Sequence, residues 1–166
     1  MSEISNGMDE EKIPSTVNTL TILTFIGSGF GIISGVWSYV KSASNLAKME
    51  EVVSKPDFEK LPDFAKKMYS PEALELYRKL DINKLPLAII NIISYLLCIY
   101  GALEMRKLKR SGFYTYCIGE ILPFFGTLLF VGISFFTAGW SAYIGLGFAA
   151  LFIALYAFQL KYISNL

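Results

Sequence analysis

Histidine is absent from this chain of 166 residues, and only 17% of its residues carry a charge. Without imidazole there is no HExxH zinc site, no serine or cysteine nucleophile activated by histidine, and no histidine-ligated haem. No second acid or activated nucleophile accompanies Glu120, the one acid within the apolar stretches. We therefore expect a protein that is not an enzyme, with no catalytic residues, no cofactor and no metal site.

Cysteine is also scarce, because the chain has only Cys98 and Cys117. Both lie within apolar stretches and they do not form a CxxC pair, so we expect buried thiols and neither a disulfide framework nor an iron-sulfur site. The formal net charge of +1 gives no reason to expect nucleic acid as a partner.

Apolar residues make up 54% of the chain, and they are concentrated in four long stretches. Away from the ends of these stretches the only charged side chain is Glu120. Each stretch has the roughly 20 residues needed to cross a bilayer, and lipid leaves the helix as the only structure for so few spans. The sequence therefore predicts an all-α integral membrane four-helix bundle. Its segments are a polar acidic tail (1–16), transmembrane helices (17–40, 85–104, 113–136 and 138–160), an amphipathic surface loop (41–84), a basic loop (105–112) and a short C-terminal tail (161–166).

The loop 41–84 has apolar residues at helical spacing. Ser70, Pro71 and Glu72 form a helix start, with a capping hydroxyl, a proline in the first turn and an acid facing the helix dipole. We predict three short amphipathic helices, separated at Pro56 and Ser70. Each is too short to be stable alone, so they should lie on the membrane surface, on the ends of the bundle or against a partner.

Four basic residues crowd the loop between the second and third apolar stretches: Arg106, Lys107, Lys109 and Arg110. The positive-inside rule places such a short loop, and with it both termini, in the cytoplasm. The lysines that follow the first stretch favour the opposite orientation. The loop acts either as a topology signal or as a site for anionic lipid head groups.

Small residues recur every four positions in two of the predicted helices. They are Gly27, Gly31 and Gly35 in the first helix and Ser141, Gly145 and Ala149 in the fourth. In lipid such glycine-zipper patterns let two helix backbones approach closely, so we expect these two helices to pack together or to pair with a second molecule. The third helix has glycines every seven positions, which also predicts a packing seam: Gly112, Gly119 and Gly126.

Glu120 is a carboxyl group within an apolar helix, which costs at least ~2.5 kcal/mol when ionised and commonly indicates a functional site. Gly119 and Pro123 lie beside it, and Pro123 should kink the helix there. Helical rise places Thr24 at the same depth, with Tyr95 and Asn91 further toward the opposite face. Glu120 is then protonated or reaches toward the basic loop, or it is a proton- or cation-responsive carboxyl with Tyr95 and Thr24, or it contacts a base of a partner.

Residues 105–123 read MRKLKRSGFYTYCIGEILP, a basic loop that leads directly into an aromatic, glycine and glutamate helix start. This string resembles small uncharacterised four-span bacterial inner-membrane proteins. The resemblance covers mainly the C-terminal hairpin, and it implies a topology and a bacterial inner membrane without implying a reaction.

Two functions follow from these patterns. The first is a structural or accessory subunit of a membrane complex, or a self-associating protein, whose partners are the lipid bilayer and a membrane protein or further copies of itself. The alternative is a small transporter or channel-like protein that uses Glu120. The near absence of other polar residues in the apolar stretches weighs against a conducting path through one protomer.

Overall fold

The computed structural model describes residues 13–137 and 140–163, and these residues form helices joined by short turns, with no strand among them. Four of the helices are long and apolar enough to cross a membrane, which confirms the prediction at that level. Most of the acidic tail and the last three residues lie outside the described ranges. The helices are α1 (Ser15–Ser54), α2 (Asp63–Met68), α3 (Pro71–Ile82), α4 (Lys84–Arg106), α5 (Ser111–Phe130), α6 (Ser134–Thr137) and α7 (Trp140–Ile163), with a 3-10 turn at Pro56–Lys60.

Helix α1 is 40 residues long and continues well past residue 40, where the sequence predicted a surface loop. The first of the three predicted amphipathic helices is therefore wrong as a separate element. No proline or glycine interrupts the chain between residues 36 and 55. The helix ends at Ser54, and the next residue, Lys55, has an extended backbone (ψ 140°), the conformation that a following proline favours. At 1.5 Å per residue α1 is about 60 Å long, so its last part extends beyond a bilayer core.

Helix α3 folds back along the last part of α1, and we call this pair the α1–α3 hairpin. Its start is confirmed, because the Ser70 hydroxyl accepts a hydrogen bond from the Ala73 N–H at 3.2 Å. Apolar residues of both helices are buried between them, and the Arg78 guanidinium donates to the Glu50 carboxylate at 2.7 Å. The last part of α1 and helix α3 therefore pack against each other.

Asp81 joins the hairpin to the start of α4. Its carboxylate accepts a hydrogen bond from the Ser42 hydroxyl at 2.7 Å and pairs with the Lys84 ammonium at 3.0 Å. The hydrogen bond from Ser42, and then the contact with Lys84, lower the pKa of Asp81 below its ordinary value.

Helices α4 and α5 form the closest helix pair, along the glycine seam that the sequence predicted for 113–136. A Cβ atom at Gly112 would lie 2.5 Å from the Gly101 carbonyl oxygen, and one at Gly119 would lie 2.7 Å from Cys98 Sγ. One at Gly126 would lie 2.8 Å from Ile90 Cδ1. Seven-residue spacing keeps all three glycines on one face, since that period matches a left-handed helix pair.

The glycine-zipper pattern of α1 does not form the predicted contact with α7. No described atom lies within 4 Å of a Cβ built at Gly27 or Gly35, and only Gly31 is close to a neighbour, the Tyr95 ring of α4. The buried face of α1 repeats every seven residues, through Val17, Thr24 and Gly31, and α1 packs mainly on α4. Residues at four-residue spacing drift around the helix, so only one of the three glycines lies on a face that repeats every seven residues.

The corresponding small residues of α7 have other neighbours. A Cβ at Gly145 would be in ordinary contact with the Phe124 ring of α5, at 3.5 Å, and Ala149 is buried. The side chain of Ser141 lies outside the part of the chain that the structure describes.

The sequence predicted a single helix over the apolar stretch 113–136, but the structure interrupts it. Helix α5 ends at Phe130, and Gly132 follows with a left-handed backbone (φ +86°) and an N–H that donates to the Leu128 carbonyl at 3.1 Å. Glycine adopts this conformation without strain and so ends the helix. Val131 is buried beside Leu76 of α3, so the end of α5 packs against the hairpin.

Candidate functional site

The carboxylate of Glu120 is directed into the protein, where its hydrogen-bond donors are neutral. Oε1 accepts a hydrogen bond from the Tyr116 hydroxyl at 2.6 Å and a long contact from the Cys98 thiol at 3.9 Å. Among residues 13–137 and 140–163, no basic side chain pairs with it. The expected reach of Glu120 toward the basic loop is therefore not seen in the described part of the chain.

A cavity of about 220 Å³ lies beside Glu120, between α1, α4, α5 and α7. We call it the Glu120 cavity. Five of the six residues predicted for the polar site line it: Glu120, Gly119, Pro123, Thr24 and Tyr95. The sixth, Asn91, lies outside it. Hydroxyls and the thiol of neighbouring residues complete the polar part of the lining, and they belong to Ser28, Ser94, Tyr116 and Cys98.

Pro123 does not end α5, which is a single helix from Ser111 to Phe130. A proline has no N–H for the carbonyl four residues earlier, which here belongs to Gly119. The buried Ser94 hydroxyl of α4 donates to that carbonyl instead, at 2.9 Å. The interruption predicted beside Glu120 is thus compensated by a side chain from the neighbouring helix.

Two buried tyrosines that the sequence reasoning missed surround the site. The rings of Tyr116 and Tyr156 pack with their centroids 4.6 Å apart, and the Tyr156 hydroxyl is hydrogen bonded to the Thr24 hydroxyl at 2.9 Å. Tyr116 precedes Glu120 by four residues, and that helical spacing could have identified it. Tyr156 lies more than 30 residues further along, and no local pattern connects it to Glu120.

The two tyrosines belong to an apolar cluster between Glu120 and the basic loop. The cluster also contains Leu20, Ala102 and Met105, and all five side chains are at most 5% exposed. We call these five residues the apolar plug. The polar groups of the described cluster are the two tyrosine hydroxyls and the thiol of Cys98, which belongs to the same cluster and also lines the Glu120 cavity.

A larger cavity, of about 430 Å³, lies on the other side of Glu120, beneath the α1–α3 hairpin, and we call it the vestibule. Tyr95 and Pro123 line both the vestibule and the Glu120 cavity. Asn91 lines the vestibule and a mostly apolar groove of about 260 Å³ between α1 and α4. The polar side chains of the vestibule are Ser34, Ser38, Ser42, Asn45, Lys84, Asn91 and Thr127, together with the hydroxyls of Tyr39, Tyr77 and Tyr95.

The basic loop lies at the opposite end of α4 and α5 from the hairpin. Arg106, Lys107, Lys109 and Arg110 form no ion pair with the described residues. Leu108, between them, has a left-handed backbone (φ +57°) and packs its side chain on the apolar plug. The turn thus keeps its one apolar residue inside, while the four charges stay available to lipid head groups or water.

No three His, Cys, Asp or Glu side chains come together as a possible metal site within residues 13–137 and 140–163. No protein-family model matches the chain, and neither does any curated protein or solved structure. The resemblance to bacterial four-span proteins therefore stays a prediction, and function has to be argued from the geometry.

Proposed function

We propose that this chain is a multi-pass membrane protein in which Glu120 is a proton- or cation-responsive carboxyl of a small transporter-like protein. In this proposal α1, α4, α5 and α7 cross the membrane as a four-helix bundle. The exposed apolar side chains on all four helices support this arrangement, because such a surface is stable in lipid.

One observation carries the proposal: an acid within the apolar part of the helices faces a cavity and has only neutral hydrogen-bond donors. A glutamate whose only role was to fix helix packing would be expected to have a buried cationic partner, because an unpaired charge in a membrane is costly. Glu120 instead has the Tyr116 hydroxyl and open volume beside it. Such a carboxyl can take up and release a proton or small cation as its surroundings change.

Reconstitution in liposomes tests this function. We expect an imposed pH or cation gradient to drive flux through the wild-type protein, and Glu120→Gln, which preserves shape and hydrogen bonding, to abolish it. Glu75→Gln is the matched control, since Glu75 lies on α3, pairs with Lys79 at 2.7 Å and has a side chain that is 67% exposed. Flux that is unchanged in Glu120→Gln would refute the proposal.

A second candidate is an accessory or self-associating subunit, and the open glycines of α1 favour it. A Cβ at Gly27 or Gly35 would meet no described atom within 4 Å, and Phe30 and Ile33 nearby are 70% or more exposed. A flat, small-residue surface of this kind permits close approach by a helix of another membrane protein or another copy.

Native mass measurement after gentle extraction tests the second candidate. We expect a complex whose stoichiometry is lost in Gly29→Leu, because Gly29 is an open glycine beside Phe30 and lines none of the three cavities. Gly147→Leu places the same side chain on an open position of α7 and is the control. A wild-type protein that is monomeric and carries no partner would contradict this role.

We also propose that the membrane is a bacterial inner membrane, with both termini and the basic loop in the cytoplasm. The resemblance of residues 105–123 and the four unpaired charges of the basic loop support this placement. A single cysteine introduced at Lys109 should react with an impermeant thiol reagent only from the cytoplasmic side, and reaction from the opposite side would reverse the orientation.

A further inference from the structure

We infer that the ion taken up at Glu120 is a proton, and that it arrives from the side of the α1–α3 hairpin through the vestibule, with Tyr95 as the side chain that separates the vestibule from the Glu120 cavity. This inference rests on the proposed function and adds to it the substrate and the side of access.

The polar lining of the vestibule indicates that it contains water. Ser34, Ser38 and Ser42 follow one another at four-residue intervals, so one face of α1 supplies hydroxyls to the cavity. The amides of Asn45 and Asn91 add further polar groups to this lining. Polar groups of this kind favour water over empty space, and about 430 Å³ is room for on the order of ten waters.

The vestibule extends from the hairpin toward the middle of the apolar helices. Its lining includes Lys84, at the first turn of α4, and Tyr95, eleven residues later. At 1.5 Å per residue these positions are about 16 Å apart along the helix axis. Water in this cavity would therefore bridge much of the distance between the hairpin end and Glu120.

Tyr95 lies where the two cavities meet. Its side chain lines both of them, and its ring packs against Gly31 of α1 so closely that a Cβ at Gly31 would overlap it. Gly31 thus makes room for the ring between α1 and α4. Pro123 of α5 lines both cavities from the opposite helix. A movement of the Tyr95 ring is the smallest change that would join the two volumes.

The opposite end of the Glu120 cavity has no comparable route. The apolar plug lies there, and Ala102, Met105 and Tyr156 within it are 0% exposed. The cavity also opens sideways past Leu23 and Phe148, which are exposed and would face lipid in the proposed membrane. We therefore assign aqueous access to Glu120 to the hairpin end. With the orientation proposed above, that end faces the periplasm.

The ligands around Glu120 fit a proton better than a metal cation. A bound metal cation needs several oxygen ligands, and Glu120 is the one carboxylate that lines this cavity. Two of the nearby hydroxyls are engaged with other protein groups, because Ser94 donates to the Gly119 carbonyl and Thr24 is bonded to Tyr156. The titratable groups around Glu120 are phenols and thiols of α4, α5 and α7: Tyr95 and Cys98, Tyr116 and Cys117, and Tyr156.

Cysteine labelling in proteoliposomes tests the route. We expect Ser34→Cys to react with a charged, membrane-impermeant thiol reagent at least tenfold faster than Ile33→Cys, and only from the hairpin side. Ile33 is at the same depth, is 70% exposed and lines none of the three cavities, so it reports lipid-facing background. Equal rates, or reaction of Ser34→Cys from the basic-loop side, would overturn the inference.

Ser28 lines the Glu120 cavity and is 5% exposed, so it tests the role of Tyr95. Ser28→Cys should react slowly with the reagent when residue 95 is tyrosine. It should also react slowly in combination with Tyr95→Phe, because phenylalanine keeps the ring, and rapidly in combination with Tyr95→Ala. Rapid reaction of Ser28→Cys with the tyrosine in place would show that Tyr95 is not the barrier.

Carbodiimide labelling of Glu120 in the wild-type protein tests the substrate. We expect the rate of adduct formation, followed by mass, to rise as the pH on the hairpin side falls and to be unaffected by Na⁺, K⁺ or Mg²⁺. Protection by one of these cations at constant pH would overturn the assignment of the proton. Flux without reaction of Ser34→Cys would refute this route alone, whereas reaction without flux would refute the transporter function.

Discussion

The hydrogen bond from Ser94 to the Gly119 carbonyl should stabilise the protein only because Pro123 has no N–H to donate to that carbonyl. We predict that Ser94→Ala destabilises the protein in the wild-type background and has little effect in Pro123→Ala. The alanine at 123 has an N–H that can donate to the Gly119 carbonyl in the ordinary helical way, so the serine is no longer needed.

The size of the effect follows from the burial of the bond. Ser94 is 1% exposed and its hydroxyl lies 2.9 Å from the Gly119 oxygen. A buried polar group left without a partner costs about 1–3 kcal/mol. Hydrogen bonds between membrane helices average only ~0.6 kcal/mol, with a maximum near 1.7, because the groups usually find other partners. Here Pro123 removes the usual partner, so we expect about 1–2 kcal/mol.

Equilibrium unfolding in mixed micelles or bicelles, applied to the four members of a double-mutant cycle, measures this coupling. Thr115→Ala is the control, since the Thr115 hydroxyl donates to the Ser111 carbonyl of its own helix at an exposed position. Ser94→Ala that costs the same free energy with proline and with alanine at 123 would refute the reasoning.

Three further predictions concern the packing of the helices and the hairpin. Gly112→Ala should cost about 1–3 kcal/mol of unfolding free energy, because its Cβ would lie 2.5 Å from a backbone oxygen of α4 and the two helices would have to separate. Gly132→Ala should cost about 1–2 kcal/mol, since φ is +86° and an L side chain is strained there. Protection of the amides of residues 71–82 against hydrogen exchange, relative to the intrinsic rate at each pH, should decrease as pH falls below the ordinary Asp value of 3.8. The lowered pKa of Asp81 means that its contacts with Ser42 and Lys84 stabilise the hairpin when it is ionised and are lost as it protonates.

Each of these predictions has a matched control. Gly147→Ala, on α7 and with no described atom within 4 Å of its Cβ, should leave stability unchanged or raise it by up to ~1 kcal/mol. Asp81→Asn should loosen the hairpin at neutral pH and reduce its acid sensitivity, whereas Asp57→Asn, in an exposed pair with Lys60, should not. Gly112→Ala or Gly132→Ala that behaves like Gly147→Ala, or acid sensitivity retained in Asp81→Asn, would contradict the corresponding prediction.

Periodicity alone identified most of the helices and part of their packing. Apolar length predicted the four long helices, and Ser70 and Pro71 predicted the start of α3. The seven-residue repeat of Gly112 and its two counterparts predicted a packing seam, and only the structure shows that the seam faces α4. These features depend on neighbours within a few turns of one helix, where spacing translates directly into a shared face.

The errors came from features whose meaning depends on a second segment. The four-residue glycine repeat of α1 is a real pattern, yet only Gly31 faces a neighbour, because the direction in which α1 packs is set by α4. The length of α1 was underestimated because loss of hydrophobicity near residue 40 marks the end of apolar sequence and not the end of a helix. The helix ends at Ser54, just before Pro56.

The sequence by itself determined that the protein is made of long apolar helices and that Glu120 is the unusual residue within them, because composition and spacing along one chain are enough for both. Only the tertiary structure decided what Glu120 contacts. Tyr116 is one helical turn away, but Cys98, Thr24 and Phe152 line the cavity from three other helices. The vestibule likewise lies between residues of α1, α3, α4 and α5. Contacts between segments distant in sequence depend on how helices cross, and no local pattern carries that information.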